Sequence, residues 1–407
     1  MLDVISFNQN TFPLIYEQDS SLPIVYFKLL FKNSGRAYDE IAGEASFFAR
    51  LLNEGSDDSF FKELELRAIN LSASADFETF DISIDCLKEH FPFAIKKLYS
   101  LLLKPNFSDK ILSRLKNTVL GELASKNSDF DYLAKRLLDK TVYPYKEFQS
   151  SMDGDEKSIK DINLNALKRY YENLLNSENL VLCIGGDLKK DDFIREISPI
   201  LELFSSKKTE KKHFDFVEVK KDTLELKKQS TQAYVYFASP AKLSLKDKDL
   251  YLAKIAIFVL GAGGFGSRIM EEIRVKRGLA YSAYARLNLC LSYERIFGYL
   301  QTKSENSSLA KNLLREIFSN FIKNGINEHE FEQTKKFMLG SSCLHYESLA
   351  KRLNIALREF YQGLKIGQLK EELKFIENSS LKDLNSYIKE HKEFEKLVFA
   401  SIQNEYS

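Results

Sequence analysis

Apolar and polar positions alternate along LPIVYFKLLFKNSG, from Leu22 to Gly35, with the period of two that predicts a strand. The period then changes. From Ala42 to Asn53 the apolar residues Phe47, Phe48, Leu51 and Leu52 recur at helical spacing. SASADFETFDISIDCL, from Ser72 to Leu87, reads as one long strand, and His90 to Lys140 as several helices. A helix near Asn163 to Leu175 leads into NLVLCIGG, a short buried strand. Further on, AYVYFASPA and GLAYSAYARLNLCLSYERIFGYLQT read as strands, with helices at Lys246 to Phe258 and Ser267 to Val275 between them. Helices fill Ser308 to Gly363, and the closing FEKLVFASIQ matches NLVLCIGG in place and character.

This order occurs twice because the chain repeats itself. FSDKILSRLKNTVLGELASKNSDFDYLAKRL (Phe107 to Leu137) and INEHEFEQTKKFMLGSSCLHYESLAKRL (Ile326 to Leu353) both carry a Leu-Gly pair, Leu120-Gly121 and Leu339-Gly340. Both then reach the pentapeptide LAKRL, at Leu133 and Leu349. Agreement in letters, order and periodicity at an offset near half the chain points to duplication. The predicted fold class is α+β, as two homologous layered halves over 1–205 and 223–407. Between them, residues 206–222 of the charged stretch FSSKKTEKKHFDFVEVKKDT read as a solvated connector, or else as a charged hairpin within one domain.

Composition narrows the function classes. The 407 residues include 44% hydrophobic positions, 31 Phe and 20 Tyr, ample for a large core. A formal charge of +1 argues against nucleic acid or a membrane surface as partner, since both are gripped by excess Lys and Arg. The longest apolar runs, such as AKIAIFVLGAGG, fall short of the ~20 residues a bilayer crossing needs. MLDVISFNQN shows no secretory leader, so a cytoplasmic location is expected, or a periplasmic one if a leader has been removed. Cys86, Cys183, Cys290 and Cys343 stand far apart with no C-x-x-C pair and read as buried free thiols. His90, His213, His329, His345 and His391 never fall at metal-ligand spacing; His90 and His329 read as isolated loop or helix-start residues, and His391 as part of an exposed KEHKE run.

The segment AGEASFFARLLNEGS, from Ala42 to Ser56, resembles the zinc-motif helix of the M16 metallopeptidases, the family of pitrilysin, insulin-degrading enzyme and the mitochondrial processing peptidases. The resemblance spans both halves and implies the duplicated metallohydrolase fold typified by LuxS and the processing peptidases, forming half of a clamshell. Active members carry His-x-x-Glu-His there, two zinc ligands one helical turn apart with a general base between them. Here the ligand positions fall on Ser46 and Arg50 and the base position on Ala49. Ser46 is a poor ligand, Arg50 is a fixed cation that repels metal, and Ala49 accepts no proton. The family's third ligand matches Glu122, which alone cannot hold zinc and reads otherwise as a solvated carboxylate or an ion pair with Arg50.

A second segment, LGAGGFGSRIMEEIRVKRGLAYSAYARL (Leu260 to Leu287), resembles the family's C-terminal signature. It has a glycine-rich turn (Gly261, Gly263, Gly264, Gly266), a helix, and Arg274 with six residues between it and Tyr281. The resemblance implies that Arg274 and Tyr281 position a peptide and stabilise its oxyanion in trans. Without it, Arg274 and Arg277 read as the basic end of a helix and Tyr281 as the start of a strand. The turn does not read as a nucleotide loop, for no G-x-G-x-x-G stands immediately after a strand with an acidic residue about twenty positions later, and no G-K-[ST] follows. The implied function is a non-catalytic subunit, inactive alone and binding no cofactor, that pairs with an H-x-x-E-H homologue whose zinc hydrolyses extended peptide. The alternatives are a structural or assembly subunit and an inert peptide-binding homodimer.

Overall fold

The computed structural model describes residues 1–217 and 221–404, so positions 218–220 of the connector and the last three residues lie outside the described residues. The chain forms two compact units. The first comprises Met1–Ala124, Ser150–Lys212 and Leu344–Ile366, and the second Ser125–Gln149, His213–Cys343 and Gly367–Ser407.

The first unit is built on six strands: β1 (Leu2–Phe7), β2 (Asn10–Gln18), β3 (Ile24–Lys32), β4 (Asn70–Ala75), β5 (Thr79–Leu87) and β6 (Leu180–Gly186), in the order β1-β2-β6-β3-β5-β4. Strands β1 and β2 form a hairpin whose turn residues, Asn8 and Gln9, both take positive φ, the geometry that suits a two-residue loop. No alternation announces this pair, because β1 is an edge strand with Leu2 and Val4 exposed. The stretch expected as one strand from Ser72 is instead the end of β4, a turn, and β5. Asp76 breaks it, with its N–H donating to the Thr79 carbonyl at 2.8 Å and its carboxylate accepting from the Phe77 N–H at 2.7 Å.

The second unit repeats the plan with β7 (Thr223–Lys227), β8 (Gln232–Ser239), β9 (Ala280–Leu289), β10 (Glu294–Lys303) and β11 (Val398–Gln403), in the order β7-β11-β8-β10-β9. Strand for strand this is the first sheet without β1. In both, the last strand runs parallel to one neighbour and antiparallel to the other: β6 between β2 and β3, β11 between β7 and β8. The expected likeness of NLVLCIGG and FEKLVFASIQ is thus a likeness of position, and every residue of β6 and β11 is buried. That follows from covering both faces of the sheet.

The covering helices explain the LAKRL repeat. One face of the first sheet packs against a core in which Phe27, Phe48, Phe80, Phe193 and Tyr170 meet ring to ring, Phe48 and Tyr170 at 5.3 Å. The other face is covered by the Leu349–Tyr361 helix, from late in the chain, which buries Leu349, Leu353, Ala356 and Leu357 against Ile15, Leu30, Val181 and Cys183. Arg352 ties it to Glu17 and Asp19 at 2.6 and 2.7 Å. Reciprocally, the Phe130–Val142 helix, from early in the chain, lies on β8 and β11 of the second sheet. Its Asp131 accepts from the Tyr236 hydroxyl at 3.0 Å, and its Asp139 pairs with the buried Arg295 at 2.7 Å. Each LAKRL helix therefore belongs to the unit built mainly from the other half of the chain.

Other expectations change. The helix expected from Lys246 begins at Leu250, after a turn in which the Ser244 N–H donates to Asp247. The connector is tied down on both sides of its middle: Asn176 bonds to both backbone groups of Lys207 in the first unit, and Phe214 is buried against Tyr145 and Phe148 in the second. Of the four thiols expected to be buried, Cys86 and Cys183 are, and burial pushes both up to about 12, but Cys290 is half-buried and Cys343 exposed. His391, expected exposed, is half-buried, stacked on Phe394 and bonded to Glu393 at 2.8 Å. No helix among the described residues is long and apolar enough to cross a membrane.

Leu353 is fully buried where Gly185 leaves room for it, since a Cβ on Gly185 would stand 2.7 Å from the Leu353 side chain. Leu353→Ala is expected to cost about 2–5 kcal/mol, read as a lower urea midpoint with an unchanged slope.

Candidate functional site

The Glu44–Leu52 helix keeps the scaffold of a site helix. Phe47, Phe48, Leu51 and Leu52 are buried in the core, leaving Ser46 and Arg50 half-buried on the opposite face. Asp39 caps the N-terminus, its carboxylate accepting from the Gly43 N–H at 2.8 Å and the Ala45 N–H at 3.0 Å. Gly43 sits at φ 89°, and a Cβ there would meet the Asp153 backbone at 2.6 Å. Glycine is required because the loop at Ser151–Gly154 packs against this end of the helix. That loop is closed by paired backbone bonds between Ser151 and Gly154 and held by Arg36, whose Nε donates to the Ser151 carbonyl at 3.0 Å.

The loop delivers Asp153 to the face where zinc ligands are absent. Ser46 Oγ donates to Asp153 Oδ1 at 2.7 Å. Arg50 makes a forked pair with Glu122, Nη1 to Oε1 at 3.0 Å and Nη2 to Oε2 at 2.8 Å, and its Nη2 also reaches Asp153 Oδ1 at 3.3 Å. Hydrogen bonding to Glu122 pushes the Arg50 pKa further up. The ion-pair reading of Glu122 is the one realised. Ala49 is buried and contributes no polar atom.

Zinc does not fit this arrangement, because a guanidinium already lies between the two carboxylates and its own charge opposes a metal ion. Among the described residues no group of three or more His, Cys, Asp and Glu is placed to hold a metal. Asp153 was not visible as a site residue in the sequence. It lies about a hundred positions from Arg50, and only the SMDG turn hinted that this segment bends sharply.

The second cluster lies wholly in the second unit. The Leu250–Ile257 helix runs on into a wide turn at Phe258–Ala262, then a tight one at Gly264–Gly266. A Cβ on Gly261 would stand 2.4 Å from the Ala285 N, so that glycine serves packing against β9; Gly263 and Gly266 continue the turn, and Gly264 takes φ 62°. Phe265 is carried out to 66% exposure. The helical turns Arg268–Met270 and Glu271–Val275 follow, and Gly278 at φ 61° ends them.

Tyr281 is the extra residue of a β-bulge. Ser282 pairs with Gln301 and Ala280 with Thr302, leaving Tyr281 outside the ladder and 78% exposed. Its ring lies 4.8 Å from the Arg274 guanidinium, whose other neighbour is the Phe265 ring at 4.7 Å. Arg274 and Tyr281 are thus brought together. Arg277 is not part of this contact: Glu272 takes both Arg277 and Lys276, each at 2.6 Å, and Arg274 forms no ion pair among the described residues. Two aromatic faces hold it while its in-plane N–H groups remain unspent. Phe265 was missed in the sequence, though its place among glycines was the available signal. A cleft of about 700 Å³ opens on the Phe265 flank, bordered by Arg268, Arg277, Glu316 and Glu330.

Known proteins resemble this chain in sequence and in fold. A family model described as the peptidase M16 inactive domain matches residues 161–338. A Helicobacter pylori protein named a non-peptidase homolog, YmxG, is 37% identical over 402 residues, covering 98% of this chain and 93% of its own. Among solved structures, a peptidase M16 inactive domain from Pseudomonas fluorescens superposes with TM-score 0.90 at 23% identity, covering 99% of this chain and 98% of that one. A chain in the structure of complex III2 from Candida albicans has the same fold, with TM-score 0.80 at 14% identity, covering 98% and 95%.

Two outcomes follow for the first cluster. Arg50→Ala removes the guanidinium that Glu122 and Asp153 share; because the pair is partly solvated, a loss of about 1–2 kcal/mol in denaturant unfolding is expected. Glu44, at the start of the same helix, is pushed up to about 7 by burial. A carboxyl raised in the folded state contributes stability below its unfolded pKa and loses it as pH rises through the folded value. Glu44→Gln should therefore leave stability little changed at pH 4 and raise it at pH 8, flattening the profile between.

Proposed function

The chain belongs to the M16 peptidase family as an inactive, non-peptidase homologue, and from that premise we propose that it is the non-catalytic subunit of a heterodimeric zinc peptidase. Its partner would be an H-x-x-E-H homologue that supplies the zinc and the general base. This chain would close the chamber over an extended peptide and present Arg274 and Tyr281 to it.

The observation that carries the reading is the contrast between the two clusters. At Ser46, Arg50, Glu122 and Asp153 every polar side chain is bonded to another of the cluster, which suits a scaffold. At Arg274 and Tyr281 a cation with no ion pair among the described residues and an exposed phenol stand side by side. A forked guanidinium can orient a peptide carbonyl or carboxylate, and a phenol hydroxyl can donate to a carbonyl oxygen as it gains charge. Neither group is consumed by the fold. A structural or assembly role would leave that pair without a use.

The test is co-expression with an H-x-x-E-H homologue from the same genome. The purified chain alone should carry no stoichiometric zinc and cleave no unfolded peptide, while the complex does both. In the complex, Tyr281→Phe should lower turnover by about 10²-fold with assembly unchanged, as loss of one oxyanion donor does. Unaltered turnover would remove Tyr281 from the chemistry, and stoichiometric zinc with cleavage by the chain alone would end the proposal.

A further inference from the structure

The first sheet ends on β4, and an antiparallel edge strand turns the N–H and C=O of every second residue outward, where another chain can pair with them. Ala73 is one such residue, so Leu71 and Ala75 are the others. Both backbone groups of Ala73 are already taken. Its N–H donates to Asn53 Oδ1 at 2.8 Å, and its carbonyl accepts from Asn53 Nδ2 at 2.9 Å. A side-chain amide offers one carbonyl and one N–H in the same plane as a peptide group does. Asn53 therefore pairs with Ala73 as a residue of a neighbouring strand would.

We infer that Asn53 decides where this chain can take up an extended peptide: it closes the β4 edge to strand addition. An incoming strand needs successive outward residues, and here the middle one of three is occupied. Leu71 and Ala75 are four residues apart, about 13 Å along the strand, with Asn53 between them. The plug is firmly based. Asn53 directly follows the Glu44–Leu52 helix, its own N–H donating to the Ala49 carbonyl at 3.0 Å, and the preceding Leu51 and Leu52 are fully buried, so only its side chain can withdraw. The β9 edge of the second sheet differs: among the described residues no side chain bonds to the backbone of Tyr281–Leu289. This goes beyond the subunit role proposed above and does not need a partner to be true.

Amide hydrogen exchange on the full chain tests it. The Ala73 amide should be protected in the wild type and exchange roughly tenfold faster or more in Asn53→Ala, with the core of the unit unchanged. Asn53→Asp, which keeps the acceptor for Ala73 but loses the donor, should fall between and serves as the second variant if Asn53→Ala misfolds. On adding a short unstructured peptide of mixed sequence, the amides of Leu71, Ala73 and Ala75 should stay unchanged in the wild type and slow in the opened variant. Three results would overturn the inference: equal Ala73 exchange in wild type and variants, peptide-induced slowing along β4 in the wild type, or no slowing in the variants. No turnover or zinc measurement enters, so these results are independent of the test of the subunit role.

Discussion

Both sheets are buried on two faces, and neither half of the chain supplies the cover for its own second face. The Leu349–Tyr361 helix covers β2, β3 and β6, and the Phe130–Val142 helix covers β8 and β11. Strands as apolar as LVLCIGG and VFASIQ cannot face water, so the exchanged helices are a condition for the strands beside them. The same demand accounts for the buried Asp139–Arg295 pair, where a charge taken out of water is met by a fixed partner. The two units are consequently interleaved in sequence, each incomplete without a segment from the other half.

On that frame the two clusters differ in how their charges are met. The helix bearing Ser46, Ala49 and Arg50 still has its cap, its glycine and its packed apolar face, so its position is maintained by the same forces that would place catalytic ligands. Compared with the motif the segment resembles, three side chains differ in chemistry, and a guanidinium lies between the carboxylates. A cation is still held by carboxylates there, but it is covalently part of the chain. In the second unit a bulge and a glycine-rich turn carry Tyr281 and Phe265 into solvent on either side of Arg274, at the cost of local regularity and with neither side chain added to the core.

Asn53 shows how closely scaffold and recognition are linked. One residue beyond the end of the site helix, it satisfies an edge backbone that would otherwise be open to pairing. Nature's usual means of guarding an edge are charges, prolines or bulges; here a side-chain amide supplies the missing neighbour directly.

The sequence by itself determined the periodicities that became most strands and helices, the duplication, side chains at Ser46, Ala49 and Arg50 that cannot do the zinc chemistry of the motif the segment resembles, and the close spacing of Arg274 and Tyr281. These are properties of residue type and local spacing, or of a family pattern carried by contiguous segments. Only the tertiary structure decided that β1 and β2 exist, that Ser72–Leu87 folds back on itself at Asp76, that the LAKRL helices are exchanged, and that Asp153 joins Arg50 and Asn53 joins Ala73. Each of these is a contact between distant segments or a turn chosen by packing. Hydrophobic patterning reports which face of an element is buried, and is silent on which segment buries it.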